Sequence, residues 1–368
     1  MFHGDVSPDI AAGILELQQK AIDPAKIPPS KLDETINIAS WNIREFGKKK
    51  RLEASVHYIA EIMGQFDLIS VVELRKDVND LDRVVRILGP YWRVVYSDYI
   101  DDWGGNWERV AFVYDQRAVA FTGFVGNAEE HRTKQNTEYV APRSWWRKPY
   151  VCGFMAGNFD FVMIATHIRW GGSAAERIPE LELMADWVDR RSKDENAIDK
   201  DMIVVGDFNI PKIGDDLYKA LTAKGLTMPA SLAVSKIPGT NIAGDKRYDQ
   251  ILYLPKFTKT VTDLGGTVDF TKCSRNILFP GNAGMQGEDF TYQLSDHLPL
   301  WIQIGTDLAD IRMDQILRPK KYAAAAHNLA VAKPKVPARP PSIAKRAAQK
   351  AKAKRKAAPK TKAAPKRK

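Results

Sequence analysis

Residues 36–47 read INIASWNIREFG, an apolar run that predicts a buried strand and then gives way to polar residues from Asn42 onward. The same pattern recurs in FVMIATH (161–167), MIVVGDFN (202–209) and YDQILYL (248–254). Residues Leu52–Phe66 and Ala174–Arg191 instead carry apolar residues near helical spacing. Many strands with interspersed helices predict an α/β or α+β sandwich of about 290 residues.

The composition divides the chain into three parts. Residues 1–33 form an N-terminal extension, in which one short helix is predicted before IPPSK (27–31) ends it. Residues 34–322 contain the strand and helix patterns and form the predicted catalytic domain. Residues 323–368 are rich in Ala, Lys and Pro and have almost nothing to bury, so a disordered tail is predicted.

The charge of the chain is distributed unevenly. Residues 331–368 hold 15 Lys and Arg and no acidic residue, whereas the first 330 residues hold 40 basic residues against 45 acidic ones. The overall net charge of +10 therefore combines a catalytic part of charge −5 with a strongly basic tail. Such an asymmetry points to an anionic partner of the tail.

Several protein classes are disfavoured by what the sequence lacks. Two cysteines, Cys152 and Cys273, cannot form a disulfide framework, and a reducing compartment fits them at least as well as one bridge. No run approaches the ~20 apolar residues of a membrane span, and no secretory signal is recognised at the N-terminus. There is no Walker A loop, dinucleotide-binding glycine motif, HExxH or CxxC.

The predicted strands end in residues that can carry chemistry. These are Asn42, Glu73, His167, Asp207 with Asn209, and Asp249, while Ser295–His297 precedes the last apolar run. Strand ends that meet at one rim would bring together carboxylates, amides and two imidazoles. Carboxylates that hold Mg²⁺ and an imidazole–carboxylate pair that handles a proton suit hydrolysis of a phosphate ester.

Seven motifs, in order along residues 36–304, make the chain resemble the deoxyribonuclease I-like endonuclease/exonuclease/phosphatase superfamily. They are INIASWNIREFG, LISVVELRKD, GNWERVAFVYD, ATHIRWG, VVGDFNIP, RYDQI and SDHLPL. Each motif is weak alone, but the ordered set is highly specific. The resemblance implies a four-layer α-β-β-α sandwich of two packed mixed sheets.

The resemblance also implies a role for each motif residue. Glu73, with Asn42 beside it, would hold the metal, and Asp296 would support it or a second cation. The implied cofactor is Mg²⁺, with Mn²⁺ or Ca²⁺ as alternatives. Asp207 and Asn209 would orient the attacking water and the scissile phosphate.

Two histidines and three arginines complete the implied site. His167 would be oriented by Glu108, and His297 by Asp249. The following arginines match basic positions that contact phosphates: Arg44, Arg75 and Arg147. One departure from the family pattern is Val72, which stands where a Gln is usual.

Some conspicuous residues have ordinary interpretations. His3, His57, His131 and His327 belong to no motif and are interpreted as surface or packing residues. Trp145 and Trp146 are interpreted as core or rim residues in preference to a platform for base stacking.

The implied function is that of a monomeric, intracellular, metal-dependent DNA endonuclease. The tail resembles Lys/Ala/Pro tails that bind nucleic-acid phosphates electrostatically. The alternative is the same chemistry on a phospholipid or inositol phosphate, because a polybasic tail also attracts anionic membranes. The second alternative is a DNA-binding protein that has lost catalysis, against which the retained acids and histidines argue.

Overall fold

The computed structural model describes residues 1–101, 106–234, 236–237, 239–281, 285–309, 313 and 316–317. The predicted disorder of residues 323–368 therefore concerns a segment outside the described residues. The described sheets and helices all belong to one compact unit, Met1–Arg318.

The first sheet has six strands and mixed direction. In spatial order they are β12 (Val261–Thr267), β13 (Leu300–Gly305), β1 (Thr35–Phe46), β2 (Leu68–Leu74), β4 (Arg109–Asp115) and β3 (Trp92–Tyr96). Strands β1 and β2 are parallel, and the other neighbours are antiparallel. Helix α3 (Glu53–Met63) connects β1 to the parallel strand β2, at the place where the sequence predicts a helix over Leu52–Phe66.

The second sheet has five strands and is also mixed. In spatial order they are β11 (Asp249–Tyr253), β10 (Met202–Asp207), β9 (Phe159–His167), β8 (Tyr150–Ala156) and β5 (Ala120–Asn127). Only β9 and β10 run parallel, and helix α5 (Ala174–Lys193) connects them. A separate hairpin pairs β6 (Thr133–Gln135) with β7 (Glu138–Val140).

Helices cover the outer faces of both sheets and complete four layers. The first sheet packs against α1 (Pro8–Leu17), α3, α4 (Asn79–Leu88), α7 (Arg275–Leu278) and α8 (Gly287–Gln293). The second sheet packs against α5 and α6 (Asp216–Thr222). The inner faces of the two sheets form a third core with one another. The predicted α-β-β-α sandwich is confirmed.

Strand periodicity determines which side chains reach the space between the sheets. In β1, Ile36 and Ile38 pack into the core between the sheets, whereas Ala39 and Trp41 pack against the helices. Because side chains alternate with a period of two, Asn42 continues the Ile36–Ile38 face. His167 continues the face of Met163 and Ala165 in the same way. The inner faces therefore change from apolar to polar at the same end of the sandwich.

The N-terminal extension packs into the helical layer of the first sheet. Helix α1 is followed by a π-helical turn, Gln18–Ile22, and a short helix, α2 (Asp23–Ala25). Leu17 is fully buried and Ala21 nearly so, both in the core shared with α3 and α7. His3 also contacts this layer, since its Nδ1 lies 2.9 Å from Nδ1 of His57. The extension therefore contributes apolar contacts to the described unit.

Two expectations about the chain as a whole can be compared with this fold. Cys152 and Cys273 are both buried free thiols, and burial raises the pKa of each to about 12. Among the described helices, none combines the length and the apolar character that crossing a bilayer requires.

Candidate active site

A cleft of about 470 Å³ lies where the inner faces of the sheets become polar. Ten of the predicted site residues line it: Arg44, Glu73, Arg75, Glu108, Arg147, His167, Asp207, Asn209, Asp296 and His297. The remaining two, Asn42 and Asp249, are fully buried and contact residues of the cleft. The structure thus brings all the predicted site residues to one place.

Strand register aligns three of these residues side by side in the second sheet. Asp207 at the end of β10 pairs with His167 of β9 on one side. On its other side it pairs with Asp249, the first residue of β11. Neighbouring strands lie about 4.8 Å apart, so the backbone alone sets these side chains next to one another.

Each histidine is held by a carboxylate behind it. His167 Nδ1 lies 2.8 Å from Glu108 Oε2, and His297 Nδ1 lies 2.7 Å from Asp249 Oδ2. A carboxylate only accepts hydrogen bonds, so Nδ1 of each ring carries the proton that it donates. Both rings therefore leave Nε2 for the cleft.

Asp207 Oδ2 is the point on which the two histidines converge. It lies 3.7 Å from Nε2 of His167 and 3.9 Å from Nε2 of His297. It also accepts a hydrogen bond of 3.1 Å from Asn42 Nδ2. One carboxylate oxygen thus faces two imidazoles and an amide in a site where all four residues are buried.

Asn42 connects the carboxylates of the two sheets. Its Nδ2 donates to Glu73 Oε1 at 3.0 Å as well as to Asp207. Within the described part of the chain, Asn42 Oδ1 is buried and has no hydrogen-bond donor. A buried acceptor without a donor is costly, and such a site favours a cationic ligand.

Backbone geometry directs Glu73 toward the cleft. Its φ of +60° is in the left-handed region, which is uncommon for residues other than glycine. The pairing of β2 with both neighbours shifts in register next to Glu73. Strict alternation would place Glu73 on the helical face with Ile69 and Val71, so this irregularity is what turns its carboxylate to the site.

The turn VVGDFNIP is shaped by one glycine. Gly206 has φ +129°, and a Cβ there would lie 1.9 Å from the carbonyl oxygen of Thr166 in β9. Asn209 has φ +50°, and its backbone N–H donates to Asp207 Oδ1 at 2.8 Å. Asn209 Nδ2 also donates to the Ile168 carbonyl, so the turn fixes both polar side chains.

Burial and neighbouring charges oppose each other in the pKa values of the site. Burial lowers the pKa of His297, but the charge and hydrogen bond of Asp249 and the charge of Asp207 raise it well above its usual range. Burial also lowers the pKa of His167, but the hydrogen bond and charge of Glu108 and the charge of Asp207 raise it above its usual value. Burial raises the pKa of Asp207 and of Asp296, only partly offset by the charge of His297.

The donor set fits a hard divalent cation. The side-chain amide of Asn42 lies between the carboxylates of Glu73 and Asp207, and Asp296 lines the same cleft. Ligand atoms of a second group, Asp207, Asp249 and His297, also lie within 4.8 Å of one another. A cation in that second group would compete with the His297–Asp249 hydrogen bond, so the Glu73–Asn42 side suits a cation better.

Two of the three predicted arginines contact the acids of the site. Arg75 Nη1 lies 3.2 Å from Glu108 Oε1, and Arg147 Nε lies 3.0 Å from Glu108 Oε2. Burial raises the pKa of Glu108, yet His167 and these two arginines lower it to about 2. Arg44 is placed differently, with its guanidinium carbon 5.3 Å from the centre of the Tyr292 ring.

The cleft contains residues that the sequence analysis did not single out. Glu45 accepts from Arg75 Nη2 at 3.1 Å and from the Tyr292 hydroxyl. Tyr248 lies between Trp170 and His297, with ring centres 5.6 and 5.9 Å away. Glu45, Trp170 and Tyr248 line the cleft and stand within the quoted motifs, so their place beside a motif residue was the signal that could have found them. Tyr292 lies outside the motifs.

Two sequence comparisons relate this chain to known proteins. The model of the Endonuclease/Exonuclease/phosphatase family matches residues 39–297. A protein named deoxyribonuclease from Thioalkalivibrio sp. (strain K90mix) is 26% identical over 288 residues, which are 74% of this chain and 72% of that protein.

Solved structures are similar to this chain at low identity. A functionally unknown conserved protein from Enterococcus faecalis V583 superposes with a TM-score of 0.51 at 18% identity, covering 73% of this chain and 100% of that one. The human Nocturnin catalytic domain with bound sulfate has a TM-score of 0.47 at 15% identity, covering 75% of this chain and 95% of that one. The family match spans most of the sandwich, from Ala39 in β1 to His297, so the chain belongs to the Endonuclease/Exonuclease/phosphatase family.

Proposed function

We propose that this protein is a divalent-metal-dependent endonuclease that hydrolyses phosphodiester bonds of DNA with an activated water. The observation that carries the proposal is the position of Asp207 Oδ2, which lies within 4 Å of Nε2 of both His167 and His297. Two carboxylate-held histidines that share a third carboxylate suit proton transfer at a phosphate ester.

In this proposal Asp207 and the two carboxylate-held histidines handle the proton. Asp207 Oδ2 orients the attacking water, and Asn209 keeps the Asp207 carboxylate in place through its backbone N–H. His167 and His297 present Nε2 to the phosphate, and protonated rings there would donate to its oxygens. Glu108 and Asp249 keep each ring oriented and stabilise its charged form.

The residues of the first sheet would hold the cation. Glu73, Asn42 and Asp296 supply oxygens, the ligand type that Mg²⁺ prefers, with Mn²⁺ or Ca²⁺ as alternatives. A bound divalent cation would neutralise charge on the phosphate and lower the barrier to attack. Asn42 couples this side to the proton-transfer side, because its amide contacts both Glu73 and Asp207.

Two observations support DNA as the substrate. The curated relative at 26% identity is named a deoxyribonuclease. The 15 basic residues of 331–368 offer an electrostatic contact to phosphates, whereas the rest of the chain carries a net charge of −5. Arg44, Arg75 and Arg147 at the cleft are the proposed phosphate contacts of the catalytic part.

Nicking of supercoiled plasmid tests the proposal. Cleavage is expected with Mg²⁺, none in excess EDTA, and a large loss for His297→Ala. His131→Ala is the matched control, because His131 is exposed and does not line the cleft. Plasmid binding without cleavage under every metal condition would instead support a protein that has lost catalysis. Hydrolysis of a phospholipid or an inositol phosphate without nicking would support the other substrate class.

A further inference from the structure

The tryptophans of this protein fall into two groups by exposure. Of the eight that the structure describes, five are at most 7% exposed: Trp41, Trp92, Trp145, Trp187 and Trp301. The other three, Trp107, Trp146 and Trp170, are 44%, 56% and 69% exposed. Leaving a large apolar ring in water is unfavourable, so three such exposures call for a common explanation.

All three exposed tryptophans flank the candidate active site. Trp107 precedes Glu108, Trp146 precedes Arg147, and Trp170 follows His167 by three residues. Trp170 lines the active-site cleft itself. Trp146 lines an adjoining depression of about 380 Å³, which shares Glu73, Glu108, Arg147 and His167 with the cleft.

Cations accompany two of the exposed rings, and an aromatic chain accompanies the third. Lys76 Nζ lies 5.3 Å from the centre of the Trp107 ring, and the Arg169 guanidinium lies 5.5 Å from that of Trp146. Trp170 packs edge-on against Tyr248, which continues to His297. An exposed ring next to a cation can bind a nucleotide in two ways: the ring stacks on the base, and the cation attracts the phosphate.

The backbone holds one of these rings in an unusual conformation. Trp107 has φ +46°, which for a bulky residue is a genuine outlier. Such strain is kept where surrounding contacts impose it, and here the preceding residue, Asn106, accepts a hydrogen bond of 2.7 Å from Arg75 Nη1. The site arginine thus anchors the residue next to Trp107.

We infer that Trp107, Trp146 and Trp170 stack on unpaired bases next to the scissile phosphodiester, so that the protein prefers single-stranded or locally unpaired DNA to intact duplex. This inference rests on the proposed nuclease function. In a duplex each base is already stacked between neighbours and its faces are covered. An exposed ring beside the reacting phosphate gains contact only with bases that have left the stack.

An anionic membrane is the competing partner for exposed tryptophans. Rings that enter a bilayer interface belong to an apolar surface whose neighbours also enter it. Here the rings stand among charged side chains: Lys76 lies over Trp107, Arg169 lies over Trp146, and Glu108 follows Trp107 in the chain, which argues for a nucleic acid.

The test compares full-length wild-type protein with Trp107→Ala, Trp146→Ala and Trp170→Ala on labelled single strands and on blunt duplexes of the same sequence. Binding is measured by fluorescence anisotropy in EDTA over a salt series, and cleavage by single-turnover kinetics with Mg²⁺. Each Ala variant is expected to bind single strands roughly 5- to 100-fold more weakly and to bind duplex almost unchanged. The corresponding Phe variants should recover most of the loss because they keep a ring.

Tyr91→Ala is the matched control. Tyr91 is 48% exposed and carries Arg117 at 4.8 Å from its ring centre, but it contacts Gln116 at the end of the first sheet opposite to Glu108. Replacement of Tyr91 should leave the binding and cleavage of both single strands and duplex unchanged. Binding of the same variants to vesicles of phosphatidylcholine with phosphatidylserine is measured in parallel.

Three results would overturn the inference. Ala variants that bind and cleave single strands like the wild type would overturn the stacking inference, although the proposed nuclease function would stand. Equal losses on duplex and single strands would show general phosphate contacts instead of stacking. Loss of vesicle binding with unchanged DNA binding would assign the rings to a membrane. A wild-type protein that cuts neither DNA would refute the proposed function, and binding in EDTA would still decide the stacking separately.

Discussion

Asn42 Nδ2 donates a hydrogen bond of 3.1 Å to Asp207 Oδ2 and so joins β1 in one sheet to the end of β10 in the other. Asn42 continues the inner face of β1, and Asp207 continues the inner face of β10. The candidate site is therefore a product of sheet packing. Its residues come from two sheets, and the apolar core between the sheets holds them at contact distance.

The histidines are expected to contribute to rate and little to affinity. His167→Ala and His297→Ala should each lower single-turnover cleavage by about 10²- to 10⁴-fold, the usual contribution of acid–base groups. DNA binding should stay close to wild type, because phosphate contacts dominate affinity. Measured cleavage at the wild-type rate would remove that histidine from the mechanism.

Activity is expected to require an added divalent cation and to depend on Glu73. Glu73→Gln should raise the Mg²⁺ concentration for half-maximal cleavage, because a neutral amide binds a hard cation more weakly than a carboxylate. Titration of Mg²⁺ and Mn²⁺ in single-turnover assays measures this. Glu129→Gln is the control, since Glu129 is exposed, does not line the cleft and forms a surface ion pair with Lys148. Full activity in excess EDTA would contradict the proposed chemistry.

Gly206→Ala is expected to damage both the fold and the site. Its Cβ would meet the Thr166 carbonyl oxygen of β9 at 1.9 Å, and φ +129° is strained for alanine. The pairing of β9 with β10 must therefore open where His167 and Asp207 lie side by side. Chemical denaturation should show a loss of at least about 1–3 kcal/mol. Gly214→Ala is the control, because Gly214 also has a positive φ, +86°, but open space around an added Cβ. It therefore measures the conformational strain without the steric clash. A variant at 206 as stable and active as wild type would refute this view of the turn.

Glu108 is expected to make stability depend on pH at the acid end. Burial raises its pKa, but His167, Arg147 and Arg75 lower it to about 2 from an ordinary value of 4.5. A carboxyl whose folded pKa is depressed stabilises the fold above its unfolded pKa, and this is lost as pH falls from 4.5 toward 2. The contribution corresponds to about 3 kcal/mol at neutral pH. Glu108→Gln should therefore lower the free energy of unfolding at pH 7, and the gap should narrow below pH 4.5. A gap that stays constant across a denaturation series at these pH values would contradict the assignment.

Removal of residues 331–368 is expected to weaken DNA binding without affecting chemistry. The 15 basic residues release counterions when they bind phosphates, so binding by the full chain should fall steeply with salt, with a slope near −0.9 per contact. The truncated protein should show a flatter slope, while cleavage at saturating DNA stays within a few-fold of wild type. Binding and saturated turnover across a salt series measure both. An unchanged slope would point to a membrane or protein partner for the tail.

Much of the fold could be predicted from local patterns. Apolar runs located β1, β2, β9, β10, β11 and β13, because a strand buried on both faces must be apolar along its length. Strand β12 was not predicted, since residues such as Asp263, Gly265 and Gly266 give it no apolar run. The short hairpin of β6 and β7 was missed for the same reason, as all six of its residues are exposed.

Local patterns do not predict which of the two adjacent tryptophans, Trp145 or Trp146, is buried. Adjacent identical residues look alike in sequence, yet Trp145 is 5% exposed and Trp146 is 56% exposed. Which ring enters the core depends on how this loop meets the second sheet and α5, and contacts between distant segments decide that.

The sequence by itself determined the order of strands and helices, the family motifs and the identity of the polar residues at the strand ends, because periodicity and local chemistry are written into neighbouring positions. Only the tertiary structure decided that Asp207 Oδ2 faces both histidines, that Arg75 and Arg147 contact Glu108, and that Glu73 turns to the cleft through a left-handed backbone. The physical reason is that these contacts arise between strands far apart in the chain. Their geometry is set by sheet register and by the packing of two sheets, which no local stretch of sequence encodes.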